Sequence, residues 1–375
     1  MSPTLVILLV ASCVATSCAL VGTFLVLRRM ALLGDAISHA VLPGIAIAFL
    51  VSGDRSTVPM IVGAAALGVV TVFLVELGTR SGRLAEDASI GVVFPALFSI
   101  GVILIARYAG QVDLDLDCVL YGEIAYTPWD LLFVGEQSIG PRALWINGVV
   151  LVAVVAFVAI FYKELKLGTF DAALAASLGF SPVLIHYLLM AVLSVTVVGA
   201  FESVGAILVV AMLVVPAATA YLLTERLSRM LLLSVGFGVA SAWLGYGLAR
   251  WLDASIAGAM ASVAGLLFGV VFVLSPRHGL LAKVLRQRRL GVGMAEHLLL
   301  LHLAGDDPDQ NGASPFDTVR RRFGWRPQRL RRLVDRLAAK GWLDEGPAGL
   351  RLTPAGVARL EGTGHAPLRH ALTEG

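Results

Sequence analysis

The chain has 375 residues, of which 58% are hydrophobic and 15% are charged, and its mean hydropathy is +0.84. These values exclude a soluble globular fold for most of the chain, because only proteins dissolved in lipid carry so much apolar sequence. The formal charge of +3 and three cysteines without CxxC spacing indicate neither a polyanionic partner nor a disulfide framework.

Apolar runs of about 20 residues, enough to cross a bilayer core of about 30 Å, recur along the first three quarters of the chain. They predict nine membrane helices, with eight or ten if one run is broken or re-entrant. The first run lacks a basic start and a cleavage site, so it is expected to be retained. The runs are Leu5–Leu27, Leu32–Val51, Val58–Leu77, Ile90–Tyr108, Leu144–Tyr162, Val183–Gly199, Val204–Leu223, Met230–Trp251 and Ile256–Leu274.

Several of the short stretches that separate these runs contain arginine or lysine. All of these basic stretches lie on one side of the membrane if every run spans it. By the positive-inside rule this side is cytoplasmic, which places the N-terminus outside and the C-terminus inside. The arginines and lysines of these stretches are Arg28, Arg29, Arg80, Arg83, Lys163, Lys166, Arg226, Arg229 and Arg277.

The second run contains Asp35 and His39, which share one face at helical spacing. Ionisable groups cost several kcal/mol at the bilayer centre, so those that remain there usually face a cavity and have a function. A carboxylate and an imidazole suit a divalent first-row cation. The alternative is a pair that only stabilises the helix bundle, but the cost of burial favours a metal path.

Glu202 stands between the sixth and seventh runs and is the candidate third ligand, entering the same cavity from another helix. Its position near a membrane boundary equally suits an interface residue. One histidine with two carboxylates would accept Mn²⁺, Fe²⁺ or Zn²⁺.

Two of the polar stretches between the predicted spans are longer than the others. Residues 163–182 are long enough for a short amphipathic helix on the cytoplasmic side, although a surface linker fits the pattern equally well. Residues 110–142 contain Asp113, Asp115 and Asp117, which alternate with apolar residues. The EF-hand spacing is missing, so we expect a solvated loop there.

After residue 290 the sequence is polar enough to fold in water. Three helices are predicted at Glu296–Leu303, Ser314–Phe323 and Pro327–Lys340, followed by a hairpin and the start of another helix. This is the element order of a winged helix. The chain has no GxxxxGK[ST] phosphate loop and no nucleophile elbow or HExxH motif, so it is not expected to be an enzyme, and ATP would be hydrolysed on a partner subunit.

Four stretches carry a resemblance to a known family: MALLGDAISHAVLPGIA, EDASIGVVFPALFSIGVILI, DLDLDCVLYGE and GAFESVGAILVVAMLVVPAATAYLL. In this order they resemble the permease subunits of ABC importers for manganese, zinc and iron, the ABC-3 family, from about Val6 to Leu285. The resemblance implies an all-α polytopic membrane protein of about eight to nine transmembrane helices, of the metal/cobalamin importer type. A small α+β winged-helix-like cytosolic domain would follow.

The resemblance also implies partners and site residues. It implies two cytosolic ATPase subunits, an extracytoplasmic metal-binding protein, and a second permease subunit, identical or paralogous. Asp35 and His39 match the family's ion-path positions, and Glu202 matches a family glutamate less closely. Residues 163–182 resemble the coupling segment that inserts into the ATPase, which assigns coupling to Phe170, Asp171, Leu178, Gly179 and Phe180.

The tail is similar to the winged helix of metal-dependent repressors of the diphtheria-toxin-repressor type, although the metal ligands of those repressors are not matched. For this tail we favour a role in regulation or assembly. The alternatives are nucleic-acid binding and an evolutionary remnant without a function. Asp335, Asp344 and Glu345 offset the arginines that would contact phosphates or lipid headgroups. Those arginines are Arg329, Arg331, Arg332 and Arg336.

Together these features predict a bacterial inner-membrane permease for Mn²⁺, Zn²⁺ or Fe²⁺ that holds no permanent cofactor. The predicted domains are residues 1–285 for the permease, 286–292 for a linker and 293–375 for the cytosolic domain. Two alternatives remain, a permease for a metal chelate of the siderophore or cobalamin type and a membrane-anchored metal-responsive transcription regulator. An intramembrane ligand pair argues against the first, because a chelate needs a wide path without such ligands.

Overall fold

The computed structural model describes residues 2–52, 57–80, 82, 84–108, 124–134, 137–275, 279–305, 313–347 and 349–361. The chain forms two compact units, Met1–Gly279 and Leu280–Gly375. The aspartates of DLDLDCVLYGE lie outside the described residues.

The first unit is a helix bundle with one small hairpin. In chain order its elements are α1 (Pro3–Leu27), α2 (Leu33–Ser52), α3 (Thr57–Arg80), α4 (Glu86–Tyr108), β1 (Leu131–Val134), β2 (Gln137–Pro141), α5 (Arg142–Ile160), α6 (Tyr162–Phe170), α7 (Ala172–Ser177), α8 (Pro182–Tyr221), α9 (Leu227–Leu252) and α10 (Ile256–Leu274). Strands β1 and β2 pair antiparallel.

Eight helices of the described residues are long and apolar enough to cross a membrane, which agrees with a polytopic fold of about eight spans. The predicted runs Val183–Gly199 and Val204–Leu223 both lie in α8, whose 40 residues would reach about 60 Å if straight. That length is about twice the thickness of a bilayer core. Gly205 interrupts the helix with φ 79° and ψ 164°, a conformation that is essentially confined to glycine.

Contacts at one end of the bundle show that α8 folds back at Gly205. Arg28, which follows α1, contacts His186 in the first turns of α8. A Cβ on Gly22, six residues before Arg28, would meet the carbonyl oxygen of Leu213 at 1.8 Å. In a straight helix His186 and Leu213 would lie about 40 Å apart, far more than these contacts allow. Segments 182–204 and 206–221 therefore run in roughly opposite directions.

Helix α1 lies at the centre of the first unit and packs against α5, α8 and α9. Its buried side chains include Val10, Cys18 and Phe24. Hydrogen bonds order it antiparallel to α9, since Tyr246 reaches Thr4 near the start of α1 and Ser234 donates to the carbonyl of Ala19. Polar groups are rare in membrane helices, so these hydrogen bonds make the pairing of α1 with α9 more specific than close packing alone.

The second unit contains α11 (Leu280–Gly305), β3 (Ala313–Ser314), α12 (Phe316–Phe323), α13 (Pro327–Ala339), β4 (Leu343–Gly346), β5 (Gly349–Leu352) and α14 (Pro354–Glu361), with strand order β3-β5-β4. It has its own apolar core, which includes Leu299, Val319, Leu330, Leu337 and Leu350. The unit boundary falls after Gly279, and the predicted linker 286–292 lies within α11. Leucine, lysine, arginine and glutamine dominate the start of α11, and these residues favour a helix over a linker.

Candidate metal centre

The two candidate ligands lie in the first turns of α2. Asp35 Oδ1 and His39 Nε2 are 3.6 Å apart, and their side chains are 49% and 32% exposed. The core-facing side of the same helix carries Ala36, Ile37 and Ala40, which are buried. At 3.6 Å the pair is too far apart for a good hydrogen bond, so both groups keep lone pairs for an ion on the open face.

Helix α4 holds the imidazole of His39 in place. The ring centroid of Phe94 is 4.8 Å from that of His39, and the ring of Phe98 meets His39 edge-on at 6.2 Å. One turn further along α2, Pro43 packs so closely on α4 that a Cβ on Gly101 would lie 2.7 Å from it. Sequence reasoning missed Phe94 and Phe98, because only helix register places them beside His39.

Close contacts at two glycines fix α2 against α3 and α8. A Cβ on Gly44 would lie 2.6 Å from the backbone of Ala64 in α3, and one on Gly34 would lie 2.2 Å from Leu213 of α8. Small residues let membrane helices approach closely. These contacts set the position of Asp35 and His39.

Glu202 is engaged elsewhere in the same unit. Its Oε1 accepts a hydrogen bond from Arg142 Nη2 at 3.0 Å, where α5 begins. Next to it, Ser203 accepts a hydrogen bond of 2.8 Å from Asn147. A small cavity of about 110 Å³ surrounds this ion pair, lined by Tyr126, Thr127, Asp130, Arg142, Ala143, Ile146, Glu202 and Ser203.

The described part of the chain brings together no group of three or more histidine, cysteine, aspartate or glutamate side chains. Glu202 therefore does not join Asp35 and His39 within a single chain. Arg142 could not be anticipated as its partner, since the two residues lie 60 positions apart and no local pattern relates them.

The predicted coupling segment forms two short helices, α6 and α7. Asp171 caps α7 by accepting a hydrogen bond of 2.9 Å from the Leu174 amide, and Gly179 takes φ 87° where the chain turns into α8. Leu165 and Ala175 are buried, which anchors the segment on the bundle. Four apolar side chains point outward, and we call them the apolar patch: Phe170, Leu174, Leu178 and Phe180.

Arg28 ties this segment to the bundle. Its Nε donates to Thr169 of α6 at 3.2 Å, and Nη1 lies 3.3 Å from His186 Nδ1 of α8. Its Nη2 is buried without a partner among the described residues. Burial lowers the pKa of the Arg28 guanidinium from its ordinary value. The next residue of α8, Tyr187, donates to Glu76 of α3, so four helices meet at this end.

The four arginines predicted to contact phosphates divide into two sets on α13. Arg331 is 3.4 Å from Asp335 and 2.7 Å from Glu345. Arg329, Arg332 and Arg336 instead line a cavity of about 300 Å³ on another face of the helix.

The sequence of the first unit matches the ABC 3 transport family over residues 3–275. The chain belongs to this family. It is 51% identical over 273 residues to the manganese transport system membrane protein MntD of Bacillus subtilis, covering 73% of this chain and 92% of that protein. It is 42% identical over 357 residues to the zinc transport system membrane protein TroD of Treponema pallidum, covering 95% of this chain and 97% of that protein.

A solved structure of PsaBC from Streptococcus pneumoniae in complex with Fab has the same fold as this ABC 3 chain. The TM-score is 0.63 at 31% identity, over 77% of this chain and 96% of that chain. The match to TroD is longer than the first unit and so extends into the second. The second unit is therefore part of a chain architecture that this ABC 3 protein shares with at least one relative.

Proposed function

We propose that this ABC 3 chain is the permease subunit of an ATP-driven importer of divalent transition metal ions, Mn²⁺, Zn²⁺ or Fe²⁺. The observation that carries the proposal is the pair of Asp35 and His39, 3.6 Å apart and half-exposed on a membrane helix. Unlike a pair that only stabilises the bundle, these groups are not saturated by each other. The relatives named for manganese and for zinc support a metal ion as the cargo.

Two protein ligands leave most positions of a first-row ion open. The open face of α2 supports a shared site in which a second permease subunit, identical or paralogous, contributes its own carboxylate and imidazole. Because Phe94 and Phe98 pack around His39, the imidazole would stay oriented when the ion arrives. A transported ion needs weaker binding than a structural one, and few ligands per subunit suit that requirement.

Glu202 has a separate place in the proposed path. The positive-inside rule favours the extracytoplasmic side for its end of the bundle, where the ion would be received from a metal-binding protein. A divalent cation arriving there would compete with Arg142 for the Glu202 carboxylate. We therefore assign Glu202 to the entrance and Asp35 with His39 to the interior of the path.

The apolar patch supports the coupling role of residues 163–182. Phe170 and Leu178 are about 60% exposed, although they lie on the cytoplasmic side in the proposed topology, outside the lipid. An exposed apolar patch of this kind marks a docking surface. We assign it to a separate ATPase subunit, which would bind and hydrolyse ATP, and Arg28 would pass its movement to α1 and α8.

The second unit is proposed to be a cytosolic winged-helix-like domain of residues 280–375. Its support is the order of elements, in which helix, short strand, two helices, two paired strands and a further helix follow one another. In the proposed topology it lies in the cytoplasm of a bacterial cell, after the last span of the inner membrane.

The test is metal accumulation in cells that lack their own high-affinity uptake and express this chain with its ATPase and binding protein. Asp35→Asn and His39→Gln should each abolish accumulation, because each removes a ligand while nearly preserving size. Ser38→Ala is the matched control, since Ser38 lies on the same helix but is buried and donates its hydrogen bond to the carbonyl of Gly34. Equal accumulation by all variants, at equal protein level, would refute the assigned path.

A further inference from the structure

One face of α13 carries a row of arginines, which we call the arginine face. It consists of Arg326, which immediately precedes α13, and of Arg329, Arg332 and Arg336. The last three are spaced three and four positions apart, which is the spacing of one helix face. Gln328 and Leu333 of α13 and Ala295 of α11 complete the lining of the 300 Å³ cavity in front of it.

The arginine face carries little compensating charge. Among the described residues no carboxylate pairs with Arg326, Arg329 or Arg332, while Arg336 lies 3.7 Å from Glu296. Glu296 also accepts a hydrogen bond of 2.8 Å from Lys340. Arginines spaced in this way bind phosphate oxygens well, because the planar guanidinium donates two parallel hydrogen bonds.

The neighbouring hairpin argues against nucleic acid as the source of those phosphates. In a winged helix that reads a duplex, the hairpin lies against the DNA beside the third helix. Here Asp344 and Glu345 of β4 are both exposed, and Glu345 already binds Arg331. These carboxylates would face the phosphates of a duplex at short range, where like charges repel.

The arginine face lies instead on the side of α11, as Ala295 and the Glu296 ion pairs show. Helix α11 begins six residues after the last candidate span ends, so the chain holds its start within about 20 Å of that end. In sequence, Lys283, Arg286, Arg288 and Arg289 follow the span. Basic clusters directly after a span bind anionic lipid, which is present there at high effective concentration.

We propose that the arginine face binds the phosphate groups of anionic phospholipids in the cytoplasmic leaflet. This contact would dock the second unit on the membrane surface. The inference rests on the proposed cytoplasmic location of that unit, but not on metal transport, so the accumulation test and the test below can fail independently.

The test uses the full chain in nanodiscs of phosphatidylcholine, with or without phosphatidylglycerol. Phenylglyoxal modification of arginines is followed residue by residue with mass spectrometry. Phosphatidylglycerol should slow modification of Arg326, Arg329 and Arg332 about threefold or more, and high salt should reverse the effect by screening. Arg321 and Arg322 of α12, which are exposed and lie outside the arginine face, should react at the same rate in both nanodiscs.

Two variants, each with three arginines replaced by glutamine, provide the matched comparison. In R326Q/R329Q/R332Q the remaining Arg336 should lose its protection by phosphatidylglycerol, whereas R321Q/R322Q/R351Q removes the same charge elsewhere and should keep it. Equal modification in both nanodiscs would overturn the proposal. So would protection by duplex DNA or inorganic phosphate, added to phosphatidylcholine nanodiscs, when phosphatidylglycerol gives none.

Discussion

At the scale of single residues, the candidate site consists of Asp35 and His39, whose Oδ1 and Nε2 atoms lie 3.6 Å apart on α2. Both were predictable as candidate ligands, because ionisable groups in an apolar run are rare and costly. Phe94 and Phe98 were not, since they look like ordinary lipid-facing or core residues in an apolar helix. Arg142 likewise gave no sign of meeting Glu202. Such partners depend on helix register, which a single sequence does not encode locally.

Phe94 is the residue whose contact with His39 can be tested. In Phe94→Leu the ring that packs 4.8 Å from the imidazole is lost, while an apolar side chain still fills the site. Since aromatic pairs contribute about 0.5–1.5 kcal/mol, the metal concentration for half-maximal uptake should rise by about threefold to tenfold, with the maximal rate little changed.

Uptake kinetics over a range of metal concentrations provide the measurement, and Phe272→Leu is the control. Phe272 stacks on Phe268 within α10 and should not affect metal affinity. An unchanged half-maximal concentration in Phe94→Leu would mean that Phe94 does not position His39.

At the scale of elements, the apolar runs predicted a break in α8 but not its exact position. Val183–Gly199 and Val204–Leu223 were predicted as two runs, and the structure divides the 40 residues of α8 at Gly205, where the chain folds back. Hydropathy does not identify that residue, because the break depends on the positive φ that glycine adopts. The coupling segment was predicted as one short helix and forms two, because Asp171 caps a second helix.

Gly205→Ala should destabilise the first unit. Alanine at φ 79° and ψ 164° incurs strain of about 1–3 kcal/mol, so the temperature of unfolding in detergent should fall. Gly236→Ala is the matched control, since Gly236 lies within α9 with open space around it, and alanine favours a helix. Equal unfolding temperatures for the two variants would contradict the fold-back at Gly205.

The apolar patch allows a test of coupling. Replacing Phe170 and Leu178 by Ser should weaken copurification of the ATPase subunit by about tenfold or more, since each exposed side chain would otherwise be buried in the contact. Leu84→Ser is the control, because Leu84 is also exposed on the proposed cytoplasmic side but lies outside the patch. Retained copurification in the double variant would place the ATPase contact elsewhere.

At the scale of the whole molecule, the composition changes near residue 290, whereas the contacts divide the chain into two compact units after Gly279. The composition does not mark this division, because the first half of α11 is basic and its second half is apolar. The relative from Bacillus subtilis aligns over 273 residues, which make up 92% of its length. A protein of about the size of the first unit is thus a transport system membrane protein in its own right.

Deletion of residues 280–375 therefore separates a transporter from a membrane-anchored regulator. A transporter should keep at least part of its metal uptake, because Asp35, His39, Glu202 and the apolar patch all lie before residue 280. The measurement is accumulation at matched protein level, with R321Q/R322Q/R351Q as a control that alters the second unit without removing it. Complete loss of uptake by a stably inserted truncation would favour the regulator.

The central claim is that the transported ion passes Asp35 and His39. The most direct test is ATP-driven uptake of Mn²⁺, Zn²⁺ or Fe²⁺ into proteoliposomes that contain the permease and its ATPase, with the binding protein added outside. With Asp35→Asn we expect metal uptake to fall to background, while ATP hydrolysis continues because α6 and α7 are intact. Uptake at the wild-type rate by Asp35→Asn and by His39→Gln would contradict the claim.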